Sequence, residues 1–179
     1  MNVASELAPL LVDLQIALGD DQVELPSAQN FSTWAEAAYQ AIPHTGRGGA
    51  EVTIRLVSVD EMVELNETYR GKSGSTNVLS FPFEPSFGIP DDFQIGDGVD
   101  PLNDVPELPL LGDLVICHQV VSLEAVHQSK QLKQHYAHMV VHGVLHLCGY
   151  DHQIDEEAVK MEQLEIQILA SMQIPNPYT

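Results

Sequence analysis

The chain has 179 residues, of which 44% are hydrophobic; that suits one domain with a real core and excludes a disordered chain. No apolar run approaches the roughly 20 residues that span a bilayer, so a transmembrane helix is excluded. Twenty-six Asp and Glu against seven Lys and Arg leave a formal net charge of −19, a balance that opposes nucleic-acid binding and favours solubility or a salty habitat.

The distribution of charge qualifies that reading. Arg47, Arg55, Arg70 and Lys72, four of the seven basic residues, lie within 26 residues, so any polyanion site should include that stretch. Cys117 and Cys148 give neither a disulfide framework nor a CxxC spacing. Met1-Asn-Val-Ala-Ser-Glu lacks the basic and apolar regions of a signal peptide. A reduced, cytoplasmic protein is expected.

In chain order, Leu10-Leu-Val-Asp-Leu-Gln-Ile-Ala-Leu18 reads as a strand too densely apolar for an exposed position. Phe31 to Ile42 has the period of an amphipathic helix, with Ser32 or Asn30 to cap it and Pro43 to end it. Glu51 to Val57 alternates with period two and is rich in β-branched residues, which predicts a second strand. Asp60 to Arg70 starts acidic, carries Met62, Val63 and Leu65, and stops at Gly71, the pattern of a short helix. Thr76 to Phe81, ended by Pro82, and Leu111 to Cys117 give two more strands. Between them, Glu84 to Pro109 holds five prolines, seven acidic residues and no basic one. It reads as a mobile acidic, Pro-rich insertion of about residues 84–110 rather than a functional lid.

After Cys117 the pattern turns helical: about residue 118 to Lys130, about 131 to Cys148, and Asp155 to Met172. The last helix buries Met161, Leu164, Ile168 and Met172, and its start at Asp155, Glu156 and Glu157 suits capping and the helix dipole. Neither a repeat nor a linker interrupts the chain. Residues 1–179 are expected to form a single α+β domain, a small mixed sheet of about four strands packed with helices.

Six of the eight histidines lie between His118 and His146. On a helix turning ~100° per residue, His135, His138, His142 and His146 fall within an arc of roughly 80°. The rest of that helix is apolar almost all round, so it should be buried, where an unpartnered imidazole costs about 1–3 kcal/mol. A metal ion would supply the partner. His142 and His146 stand at i and i+4, which directs two ring nitrogens at a common point. Gly149 then ends the helix in a left-handed conformation and lets the chain bring back His152 as a third ligand. His138 could compete as a ligand one turn earlier, but a helix-end Gly followed by His favours His152, and His138 and His135 read as hydrogen-bonded neighbours. Three nitrogens leave the fourth tetrahedral position open, the layout of a catalytic rather than a structural zinc.

The spacing H-x-x-x-H-x-x-G-x-x-H equals that of the metzincin zinc peptidases. Those carry Glu directly after the first His as general base; Gly143 stands there in this chain. Its absence removes a contribution of typically ~10²–10⁴-fold, which argues against peptide hydrolysis. Asp151, beside the third ligand, could substitute as base or orient a histidine, and the second role suits it better.

His142-Gly-Val-Leu-His146-Leu-Cys-Gly-Tyr-Asp-His152 resembles the signature of the YbeY family of bacterial metal-dependent endoribonucleases. Leu65-Asn-Glu-Thr-Tyr-Arg70-Gly-Lys72-Ser-Gly-Ser-Thr76-Asn77-Val-Leu-Ser80-Phe-Pro-Phe83 and Leu111-Gly-Asp113-Leu-Val-Ile-Cys-His agree with it, and the resemblance spans about residues 50 to 172. It implies a compact mixed-sheet fold with a zinc site on the C-terminal helices. It also implies cleavage of single-stranded RNA in 16S rRNA processing and ribosome quality control. The implied partners are rRNA, the small ribosomal subunit and its assembly factors, with no membrane and no DNA.

Residue by residue, the family's zinc ligands carry over to His142, His146 and His152, with one zinc per chain. Its arginine carries over to Arg70, as a catalytic group whose guanidinium can hold a phosphate by two hydrogen bonds. Without the family, Arg70 would read as a surface residue paired to Glu64 or Glu67. Thr76 and Asn77 could contact RNA or merely shape the turn into the strand. Ser75 stands where the family usually has proline, which should only soften that turn. Arg55, Arg70 and Lys72 form the expected basic patch. A metallopeptidase and a non-catalytic, metal-stabilised ribosome-assembly factor remain the rival readings.

Overall fold

The computed structural model describes residues 9–19, 23–43, 49–83 and 109–179. β1 (Leu10–Ala17), α1 (Ala28–Gln40) and β2 (Ala50–Val57) make a parallel strand–helix–strand unit. α2 (Val59–Arg70), β3 (Val78–Pro82) and β4 (Leu110–Cys117) follow, and then α3 (His118–His127), α4 (Leu132–Leu147) and α5 (Asp155–Ser171). The sheet order is β1-β2-β4-β3, with β4 parallel to β2 and antiparallel to β3. The α+β class and the four-stranded mixed sheet match the expectation.

Alternation along β4 explains the layers. Leu114 and Ile116 join the larger core with Phe31 of α1, Tyr136 and Val140 of α4, and Met161 of α5. Val115 and Cys117 point the other way, into a smaller core with Met62 of α2 and Leu79 of β3. Helix α4 lies in the larger core with ten of its 16 residues buried, and that packing fixes the row of histidines.

Several elements differ from expectation. β1 is an edge strand: Leu10 is buried, but Leu11 is 55% and Ile16 57% exposed. Leu10, Val12 and Leu14 belong to the larger core, whereas Leu11 faces the side on which α2 packs over β4. α1 starts before Phe31 because Ser27 caps it. Ser27 Oγ accepts from Asn30 N at 3.3 Å and Asn30 Oδ1 accepts from Ser27 N at 3.2 Å, a capping box with Asn in place of the usual Glu or Gln. β3 starts two residues late and includes Pro82, which an edge strand tolerates. α3 stops at His127 rather than Lys130; Ser129 turns at φ 54° and Lys130 N bonds Ala125 O at 2.8 Å. α5 has its acidic first turn, but no side chain caps it. Arg47 and residues 84–108 of the expected insertion lie outside the described residues. Among the described residues, no helix is long and apolar enough to cross a membrane.

Candidate metal centre

α4 delivers His142 and His146 one turn apart, with ring centroids at 4.5 Å. Cys148 closes the helix, and Gly149 at φ 97° reverses the chain in a conformation that a Cβ disfavours. His152 thereby comes to 6.0 Å from His142 and 5.0 Å from His146, centroid to centroid. One ligand atom from each of the three lies within 4.8 Å of the others. All three rings line an open groove of about 630 Å³.

Hydrogen bonding sets the ring nitrogens. His142 Nδ1 lies 2.5 Å from Glu165 Oε1; a proton on Nδ1 facing that carboxylate leaves Nε2 as the ligand atom of the neutral ring. That Nε2 faces His146 Nε2 at 3.1 Å. Two nitrogens on one tetrahedral zinc stand about 3.3 Å apart, given bonds of about 2.0–2.1 Å. The donor set therefore fits such an ion. Burial, reinforced by the neighbouring His142 and His152, pushes His146 below the ordinary imidazole range and keeps it neutral, as a ligand must be.

His138, His142 and Glu165 form a second close group. His138 Nε2 lies 3.3 Å from Glu165 Oε2, and Tyr178 Oη donates to the same carboxylate oxygen. Glu165 is fully buried. Desolvation alone would raise its pKa, but the bonds from His138, His142 and Tyr178 outweigh it and hold the carboxyl at about 2. An ionised acceptor of three donors suits the role of orienting His142 from behind. Neither His138 nor Glu165 lines the 630 Å³ groove. His135, as expected, is a hydrogen-bonded neighbour: its Nε2 donates to Glu124 Oε2 at 2.7 Å.

Gly143, where the peptidases carry Glu, packs on the core. A Cβ there would stand 2.0 Å from Leu114 Cδ1, and Leu114 is fully buried. The position faces the sheet, so a carboxylate could not simply be added to it. Asp151 Oδ1 accepts from His152 N at 2.7 Å, which shapes the loop carrying His152.

Arg70, at the end of α2, lines the same groove as the three histidines. Among the described residues it joins no ion pair, and Glu64 and Glu67 do not hold it. Buried Asn66 steadies the following loop: its Nδ2 donates to Gly74 O at 2.8 Å and its backbone carbonyl accepts from Lys72 N at 3.3 Å. Asn77 also lines the groove, but its polar atoms are committed. Nδ2 donates to both Glu124 oxygens at 3.2 Å, and Oδ1 accepts from Val78 N at 2.7 Å, the turn-shaping alternative. The expected basic patch is divided. Arg55 Nε lies 2.7 Å from Glu61 Oε1, NH1 bonds Gln15, and the side chain lines a separate groove.

Glu165, Glu124, Asn66 and Tyr178 were not legible as site residues. The one available signal was Glu165, a carboxylate at a buried-stripe position of α5, four residues after Met161 and three before Ile168.

Fold and donor set together define a class: an α+β domain with a candidate three-histidine metal centre beside an open groove. The profile of the endoribonuclease YbeY family matches residues 15–173, and the chain belongs to that family. Membership supports an endoribonuclease of rRNA maturation, with RNA as the substrate class. The solution structure of TM1509 from Thermotoga maritima is similar over 91% of this chain and 92% of that one, at 21% identity and a TM-score of 0.49.

Proposed function

We propose that the protein is a zinc-dependent, single-strand-selective endoribonuclease of 16S rRNA processing and ribosome quality control, working in the cytoplasm with the small ribosomal subunit and its assembly factors. The observation that carries the metal assignment is the facing pair of Nε2 atoms on His142 and His146, 3.1 Å apart, with His152 beside them. One zinc per chain would be held by these three side chains. The chemistry supplied by bound zinc is Lewis-acid polarisation of a phosphate oxygen and acidification of a coordinated water. Glu165 keeps the Nδ1 proton of His142 in place and its Nε2 free. Arg70, without an ion-pair partner among the described residues, clamps the phosphate and stabilises charge that develops on it.

Metal analysis of the purified protein and its variants tests the assignment. His142→Ala, His146→Ala and His152→Ala should each strip zinc, while His138→Ala should retain it. Zinc lost from His138→Ala and kept by His152→Ala would replace this ligand set. Product analysis on a defined RNA separates the nuclease from a binding factor with a structural metal.

A further inference from the structure

Tyr69 stands beside Arg70 on the last turn of α2 and is 66% exposed. Its ring meets Phe81 of β3 edge to face, with centroids 5.4 Å apart and planes at 68°. Both rings line the histidine groove, and both also line the separate groove of about 440 Å³. They form the wall between the two. An isolated exposed aromatic is ordinary. This one is braced, adjoins a guanidinium with no ion-pair partner among the described residues, and opens into the groove that holds the three histidines.

We propose that Tyr69, braced by Phe81, is a nucleobase-stacking subsite for the RNA strand whose phosphate Arg70 holds. The proposal rests on the endoribonuclease reading above and assigns the part of the substrate that the groove wall recognises. The edge-to-face contact fixes the Tyr69 ring in advance, so less ordering remains when a base arrives. Bases of a single strand offer open faces to such a ring, whereas bases in a duplex are covered by their neighbours. A preference for single strands follows without any sequence-specific contact. Charge points the same way. A chain with a net charge of −19 gains little from attraction to phosphate, and stacking is a source of affinity that charge does not oppose.

The test reads binding rather than cleavage. Fluorescence anisotropy of a dye-labelled, unstructured RNA oligonucleotide is measured at low salt, with the protein held in chelator so that no strand is cut. Tyr69→Ala and Tyr69→Leu should each weaken binding about tenfold, while Tyr69→Phe binds within about twofold of wild type. An oligonucleotide of the same length made entirely of abasic residues should bind wild type and Tyr69→Ala equally. Melting temperatures of the variants should match, because the ring lies outside both cores. Equal binding of the normal oligonucleotide by wild type and Tyr69→Leu, with Arg70→Ala weakened, would overturn the subsite and leave the nuclease reading intact. Absence of single-stranded RNA binding by wild type in chelator would overturn the subsite, and absence of cleavage by the zinc-loaded protein as well would overturn both.

Discussion

Nδ1 of His142 lies 2.5 Å from Oε1 of Glu165, a carboxylate with no exposure to solvent. The pair links the histidine-bearing edge of α4 to the interior of α5 and decides which nitrogen of His142 is open towards His146 and His152. Replacing Glu165 by Gln keeps the shape and removes the charge that holds the Nδ1 proton. Glu165→Gln should therefore weaken zinc affinity about 10–100-fold in a chelator competition. Unchanged affinity would mean that His142 needs no support from behind.

Gly143 tests the packing account of the missing peptidase base. A methyl group at that position meets Leu114 in the core, 2.0 Å from Cδ1. Gly143→Ala should lower stability by about 1–3 kcal/mol in denaturant unfolding. Stability equal to wild type would show that α4 can move off the sheet.

Arg70→Ala should reduce RNA cleavage at least about tenfold, the scale of one lost charge-stabilising contact. Zinc content and melting temperature should stay close to wild type, since the side chain is exposed and lacks a partner among the described residues. Full activity in this variant would return Arg70 to an ordinary surface role.

Acid should destabilise the metal-free protein in two stages. His135 and His146 are held below the ordinary imidazole range, in both cases chiefly by burial. Unfolded imidazoles take up protons near pH ~6.5, so the unfolded state gains protons first and stability declines below that value. Glu165, held at about 2 against an ordinary 4.5, contributes stability above pH 4.5 that is lost as the pH falls towards 2. Denaturant midpoints should be level from about pH 8 to about 6.5 and fall by about pH 5. A midpoint constant down to about pH 5 would contradict the buried neutral histidines.

The helical half of the fold was legible because its signals are local. Gly71 and Gly149 end their helices at φ 62° and 97°, as their positions suggested. The i, i+4 spacing and the reversing glycine also identified the three histidines that the fold gathers. What escaped depends on distant contacts. Whether β1 is central or edge is decided by strand order, which a dense apolar run does not encode. Glu165 stands 23 residues from His142, and only the packing of α5 on α4 makes the carboxylate a partner rather than a solvated charge. Arg55 and Arg70 are close in sequence, yet strand alternation and the helix between them send the two side chains to different grooves.

Substrate choice separates RNA cleavage from peptide hydrolysis, because the metal spacing is shared with peptidases and Gly143 is not. Zinc-loaded protein is incubated with an unstructured RNA and with unfolded casein, each with and without chelator. Chelator-sensitive cleavage of the RNA with intact casein is the expected result; chelator-sensitive proteolysis with intact RNA, or inertness towards both, would contradict it.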